Sequence, residues 1–100
     1  MIRHVVMWKF KDSAECKDKI ENMEIVKDSL YALKPIISEI KKMEIGMDVT
    51  HSDASMDLML LTEFDSIEDM KTYAVHPEHL KVAEYVRKVT ETRVVLDCEI

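Results

Sequence analysis

Apolar residues recur along this chain with two periods, every second position in some segments and every third or fourth in others. The segment Ile2–Phe10 is rich in β-branched and aromatic residues and holds no Gly or Pro, which predicts a strand. Its even-numbered side chains include Val6, Trp8 and Phe10, the bulkiest set on the strand. We therefore expect the even face to contact helices and the odd face to point the other way.

The next segment changes to helical spacing. Asp12 with Glu15 three positions later fits a capping box, and Ser13 is an alternative cap. Apolar residues then recur on one side: Cys16, Ile20, Met23, Leu30 and Leu33, with Val26 beside them. Pro35 has no N–H to continue the helical hydrogen bonds, so it ends this predicted helix.

Two further strands follow, separated by a polar loop. Apolar residues occupy the odd positions from Met43 to Val49, with polar or small residues between them, which is typical of a strand with one face in water. The six residues THSDAS that come next favour turns. Met56–Phe64 is again predicted to be a strand, and it is apolar on both faces in its middle.

The last third of the chain predicts a broken helix and a final strand. Ser66 caps the helix, with Asp69 three residues on. Pro77 disfavours helical backbone at His76, so the helix stops there and begins again with the proline in its first turn. Thr92–Ile100 forms the strand, and we assign its side chains to two faces. One face carries Val94, Leu96 and Cys98, and the other carries Arg93, Val95, Asp97 and Glu99.

The resulting order is β-α-β-β-α-β in one domain, residues 1–100. With right-handed crossovers this order predicts an α+β, ferredoxin-like fold, in which two helices cover one face of a four-stranded antiparallel sheet. The opposite face is then apolar, displaying Val5, Met7, Met59, Leu61 and Val95. Its footprint of roughly 400 Å² is at or above what a soluble monomer usually leaves bare. We expect a homodimer that packs these faces together, and a monomer with a few exposed aliphatics is the alternative.

Composition and charge narrow the classes of function. The net charge of −6 and the scattered lysines and arginines argue against nucleic-acid binding. No apolar run is long enough to span a membrane and nothing marks the N-terminus for export, so we expect a cytoplasmic protein with free, buried thiols at Cys16 and Cys98. A single glycine leaves no phosphate-binding loop and no nucleophile elbow, and no metal site or cofactor is expected.

Three segments of the chain resemble the stress-responsive A/B barrel domain, often called Dabb: MIRHVVMWKFKD, MEIGMDV and DLMLLTEFDSIEDMKTYAVHPEHLKVAEYV. The likeness covers nearly the whole chain. Its most specific parts are the opening R-H-x-V-x-x-K-F and the later Y-x-x-H-P-x-H, which spans Tyr73 to His79. The resemblance implies one Dabb domain over residues 1–100 and a dimeric α/β barrel.

Polar side chains from different elements are expected to converge between helix and sheet. Tyr73 and His79 come from the helical segment and His4 from the first strand. The predicted pocket around them is lined by His4, Trp8, Leu58, Leu60 and His76. Polar groups that meet in an apolar pocket are typical of a small-molecule site. Structural roles are the alternative: a cap for His76, a carbonyl or Tyr73 partner for His79, and a packed core position for His4 and Tyr73.

The resemblance also implies roles. A plant polyketide cyclase of this family uses the matching Y-x-x-H-P-x-H segment, so by similarity Tyr73 would hold a carbonyl or enolate oxygen and His79 would be the general base. One further pocket histidine of that enzyme corresponds to Leu58 here. The first hypothesis is thus a small-molecule-binding barrel, the second a cofactor-independent cyclase or isomerase, and the third an oxygenase of the antibiotic-monooxygenase type. An open pocket with His79 within about 3.2 Å of the Tyr73 hydroxyl or of a bound ligand would favour catalysis. Filling of that space by Trp8, Leu58 and Leu60 would favour a binding or structural role.

Overall fold

The computed structural model describes residues 1–100. In chain order its elements are β1 (Ile2–Phe10), β2 (Ser13–Ala14), β3 (Lys17–Asp18), α1 (Lys19–Tyr31), β4 (Lys42–Met47), β5 (Leu58–Phe64), α2 (Ile67–Val75), α3 (Pro77–Val89) and β6 (Thr90–Glu99). The main sheet is antiparallel throughout, with the order β4-β5-β1-β6. This is the predicted ferredoxin-like α+β fold, with the second helical region divided into two helices.

The first helix begins later than predicted. Asp18 is its N-cap: Oδ1 accepts from the Glu21 N–H at 2.8 Å, and the Glu21 side chain accepts from the Asp18 N–H at 3.5 Å. The predicted cap at Asp12 is wrong, because residues 13–18 form the β2–β3 hairpin instead. Glu15 and Cys16 make its turn with φ of 53° and 62°. Cys16 is therefore exposed rather than part of a buried stripe, and both cysteines are free.

The break between α2 and α3 lies where the proline predicts it. Ser66 Oγ accepts from the Asp69 N–H at 3.1 Å and caps α2. His76 has extended backbone, with φ −62° and ψ 134°, and Pro77 begins α3. None of the three helices combines the length and apolar composition that a membrane crossing requires.

The even face of β1 is the core face, as predicted. Val6, Trp8 and Phe10 are each at most 5% exposed. Val6 stands opposite Leu60 of β5, and Trp8 stands opposite Leu58, so both strands present apolar side chains to the helices. The helices and the segment after α1 complete this core with Met23, Val26, Leu30, Leu33, Ile37, Tyr73, Val86 and Val89.

The two faces of β6 are the reverse of the prediction. Residues directly opposite each other in an antiparallel pair share a face. Val95 stands opposite Val6, so it lies on the helix side of the sheet and not on the open face. Leu96 stands opposite Val5, and Val94 stands opposite Met7. The pattern of β6 separates an apolar face from a largely charged one, but only the register with β1 decides which of the two meets the helices.

The open face of the sheet carries the rest of the predicted apolar patch. Its members are Val5, Met7, Met59 and Leu61, to which the register of β6 adds Val94 and Leu96. Leu96 is 62% exposed, and Met7 and Val94 are 38% and 39% exposed. We call these six residues the open-face patch. It lies on the side of the sheet opposite the helices.

Candidate functional site

A cleft of about 640 Å³ opens between α3, the end of α2, β1 and the first residues of β6. This volume is in the range of small-molecule sites, roughly 300–1,000 Å³. Apolar side chains form most of its wall, among them Val6, Trp8, Leu60, Val82 and Val86. Its polar groups include those of His4, Tyr73, His79, Arg87 and Arg93.

Tyr73 lies at the inner end of the cleft. Its ring contacts three others: ring centroids are 4.3 Å away for His79, 5.1 Å for Phe64 and 6.4 Å for His4. The side chain is 2% exposed, yet its hydroxyl has no hydrogen-bond partner in the protein and is not sealed from the cleft. Burial raises the pKa of Tyr73 to about 12, against a smaller opposing effect of the positive Arg93. The group is therefore a neutral phenol that can donate a hydrogen bond to a ligand.

The helix break orients His79. In a continuous helix the Ala74 carbonyl would accept from the N–H of Glu78. That N–H instead donates to Nδ1 of His76 at 3.1 Å, and the freed carbonyl accepts from Nδ1 of His79 at 3.0 Å. A carbonyl can only accept, so Nδ1 of His79 carries the proton and Nε2 keeps its lone pair in the neutral ring.

The environment of His79 keeps its ring neutral at pH 7. Burial lowers its pKa below the ordinary value of 6.5, and the nearby His4, Arg93 and His76 act in the same direction. The hydrogen bond to the Ala74 carbonyl opposes this shift. The imidazole thus has a defined tautomer and an unprotonated Nε2, which are the two properties of a general base.

His4 is oriented by the last strand. Its Nδ1 donates to the Asp97 carboxylate, which stands directly opposite on β6. The His4 side chain is 14% exposed. Asp97 was predicted on the open face together with Val95. Both assignments were wrong, because pairing with β1 turns these residues of β6 toward the helix side. The carboxylate fixes the proton on Nδ1 and leaves the other ring nitrogen of His4 as the free atom.

The cleft contains most, but not all, of the predicted pocket residues. His4, Trp8 and Leu60 line it together with Tyr73 and His79. Leu58 does not line it: this side chain stands opposite Trp8, is 2% exposed and belongs to the core. His76 does not line it either, because its ring caps α3. The reading of His76 as a cap is correct.

Sequence reasoning missed two arginines of the cleft. Arg93 stands opposite Trp8 on β6, and Arg87 comes from the last turn of α3. Arg93 was predicted on the open face together with Val95. The pairing of β6 with β1 would have identified it, since the residue opposite Trp8 must share the face of Trp8.

Comparisons with known proteins agree with this fold. Olivetolic acid cyclase of Cannabis sativa is 26% identical over 98 residues, covering 96% of this chain and 93% of the cyclase. A dimeric protein of unknown function with a ferredoxin-like fold, from Bacteroides fragilis, is 31% identical, with a TM-score of 0.87 over 99% of this chain and 95% of that one. Hydroxynitrile lyase from Passiflora edulis is 21% identical and shares the fold, with a TM-score of 0.83 over 99% of this chain and 92% of the lyase.

The match to a family model covers almost every residue. Residues 2–100 match the model of the Stress responsive A/B Barrel Domain, Dabb. Both motifs on which the resemblance rests lie within this range: the strand that carries His4, and the segment from Tyr73 to His79. This chain belongs to the Dabb family.

Proposed function

We propose that this Dabb protein is a homodimer that binds a small, partly apolar molecule in the cleft between α3 and the sheet. One observation carries the binding proposal. The cleft of about 640 Å³ has mostly apolar walls and ends at the free hydroxyl of Tyr73 and the free Nε2 of His79. Apolar walls bind the body of a ligand, and a few polar groups orient it.

The homodimer is proposed to form through the open-face patch. Leu96 and Val94 are exposed on this face beside Met7 and Val5. Each Å² of apolar surface that the interface buries stabilises the dimer by about 25 cal/mol. The relative from Bacteroides fragilis is described as dimeric, which supports the same assembly here.

Trp8 offers a direct test of binding, because it is the only tryptophan and it lines the cleft. We expect titration with the neutral ketone 4-phenyl-2-butanone to change its fluorescence in a saturable way. Ala83→Leu adds a larger side chain to the cleft wall and should weaken binding about 10-fold or more. Ala54→Leu makes the same change in the exposed loop after β4 and should not. Equal effects of the two variants, or no response of Trp8, would refute the proposal.

A second candidate function is catalysis of proton transfer next to a carbonyl, without a cofactor. His79 Nε2 can take a proton from the carbon beside a ligand carbonyl, while the Tyr73 hydroxyl donates a hydrogen bond to the oxygen as it becomes an enolate. The Ala74 carbonyl, 3.0 Å from Nδ1, stabilises the imidazolium that forms. The protonated His79 then returns the proton to carbon. Similarity to olivetolic acid cyclase supports this candidate.

Exchange of ketone protons for deuterium tests this candidate. In heavy water, wild-type protein should speed the loss of the α-proton NMR signal of 4-phenyl-2-butanone, and His79→Ala should remove most of the acceleration, which for one general base is about 10²–10⁴-fold. His76→Asn is the matched control. It removes the neighbouring histidine but keeps a side-chain acceptor for the Glu78 N–H. An equal loss in both variants, or exchange that survives His79→Ala, excludes His79 as the base.

A further inference from the structure

The cleft holds two cations that the roles above do not use. The chain has three arginines. Arg3 pairs with Glu63 on the open face, donating from Nε and Nη2 at 3.0 and 2.8 Å. Arg87 and Arg93 both line the cleft, and neither forms an ion pair within the protein. Both arginines are exposed, so in this chain of net charge −6 their two unpaired guanidinium groups are free to bind an anion that enters the cleft.

Arg93 belongs to the strand wall of the cleft. It stands on the same face of β6 as Asp97, and it is opposite Trp8. Its positive charge favours the deprotonated forms of both Tyr73 and His79. This contribution opposes the larger effect of burial on the pKa of Tyr73 and adds to the effect of burial on the pKa of His79. Glu91 is the acidic residue of the lining, and it pairs with neither arginine. Arg93 therefore lines the same cleft as Tyr73 and His79 and has no carboxylate partner within the protein.

We propose that the ligand of this cleft carries a carboxylate, which Arg93 binds while the apolar body of the ligand packs on Trp8 and Val86. This inference rests on the proposed binding function and specifies its ligand class. The planar guanidinium presents parallel N–H groups that match the two oxygens of a carboxylate. Arg87, at the other side of the cleft, adds positive potential that attracts an acid to its mouth.

A carboxylate fits these surroundings better than a phosphate does. Phosphate sites generally use backbone N–H groups from a glycine-rich turn or a helix start. The single glycine, Gly46, lies on β4 away from the cleft, and the first turn of α3 contributes to the wall through the His79 side chain. The cleft offers side-chain hydrogen-bond donors, among them the planar guanidinium of Arg93, and long apolar walls. An aryl- or alkyl-substituted acid has the matching shape.

The test uses compounds that share one apolar body and differ in charge. Trp8 fluorescence is titrated with 4-phenylbutanoate, its neutral amide 4-phenylbutanamide, and phenethyl phosphate. Wild-type protein should bind the acid about 10-fold or more tightly than the amide. Arg93→Gln should abolish this preference, so that the acid and the amide bind with similar affinity. Lys71→Gln removes the same charge from the exposed side of α2, outside the cleft, and should retain the preference.

Each other outcome overturns the inference in a recognisable way. Equal binding of acid and amide, or an acid preference that survives Arg93→Gln, excludes Arg93 as a carboxylate site. Equal loss in Lys71→Gln assigns the effect to overall charge. Tighter binding of the phosphate than of the acid would show that the cleft prefers a phosphate, and not a carboxylate, as its anionic group. If the neutral ketone binds without any acid preference, only this inference fails. If no compound binds at millimolar concentration, the proposed binding function fails with it.

Discussion

The ring of Tyr73 packs against the imidazole of His79, with centroids 4.3 Å apart and an angle of 48° between the planes. The contact brings together a phenol and an imidazole that come from two different helices. The Tyr73 hydroxyl has no partner, while His79 uses one nitrogen for the Ala74 carbonyl and keeps the other free. Both free polar atoms are open to the cleft, so they can form hydrogen bonds with a ligand that binds there.

A matched pair of tyrosines tests that interpretation. Tyr85 donates to Asn22 Oδ1 at 2.6 Å, and the Asn22 amide is itself fully buried and donates to the Ala14 carbonyl at 3.0 Å. Tyr85→Phe removes a hydrogen bond and should lower the free energy of unfolding by about 1 kcal/mol. Tyr73→Phe removes a hydroxyl without a partner and should change it by less than about 0.5 kcal/mol.

Urea unfolding measures both values, and Trp8 fluorescence measures ligand affinity in the same variants. Tyr73→Phe should weaken binding of 4-phenyl-2-butanone, because Tyr73 lines the cleft. Tyr85→Phe should not, because Tyr85 does not line it. A large stability loss in Tyr73→Phe with unchanged binding would instead identify Tyr73 as a structural residue.

His79 predicts a pH dependence of stability. Its folded-state pKa lies below the ordinary value of 6.5, mainly because of burial, so the unfolded chain takes up the proton first as the pH falls. Well above pH 6.5 the ring is neutral in both states and the shift has no effect on stability. As the pH drops from 6.5 through the folded-state pKa, the wild type loses stability that a variant without this imidazole does not lose.

The measurement compares free energies of unfolding of wild type and His79→Ala between about pH 7.5 and about pH 5. The wild-type advantage should be largest at the upper end and should shrink toward the lower end. All other titrating groups are common to both proteins, so the difference isolates His79. A difference that stays constant across the range would contradict the direction of the pKa shift.

The open-face patch predicts which substitutions dissociate the dimer. Leu96 and Val95 are adjacent and exposed in one protomer, at 62% and 49%, but they point to opposite faces. Leu96→Glu would place a charge in the proposed interface, where its desolvation is costly, and should yield the 11.7 kDa protomer. Val95→Glu should remain at twice that mass. Sedimentation at micromolar concentration distinguishes these outcomes, and a wild type that sediments as a protomer would refute the dimer.

The start of α1 predicts a stability difference between two aspartates. Asp18 caps the helix, so Asp18→Ala should lower the free energy of unfolding by about 1 kcal/mol. The Asp12 side chain is fully exposed, with a single ion pair to Lys19 at 3.7 Å, and its replacement should cost less than about 0.5 kcal/mol. Thermal or urea unfolding of Asp18→Ala and Asp12→Ala measures both. A larger loss of stability in Asp12→Ala than in Asp18→Ala would indicate that Asp12, and not Asp18, caps the helix.

Local patterns determined much of this protein. The alternation in β1 predicts the core face that carries Val6 and Trp8, because the side-chain period of a strand is independent of its neighbours. Ser66 and Pro77 predict the helix boundaries around the site, since a cap and a proline act on the backbone beside them. The element order then limits the topology, and Tyr73, His79 and His4 meet as expected.

Only the tertiary structure decided the features that depend on how segments pair. Asp12 and Asp18 are each followed three residues later by a glutamate, and the choice between them was made by the β2–β3 hairpin. The pattern of β6 does not say which of its faces meets the helices, so only its register with β1 placed Arg93 in the cleft, Asp97 beside His4 and Leu96 on the open face. Register is a relation between two strands, and a shift of one residue moves every side chain to the other face.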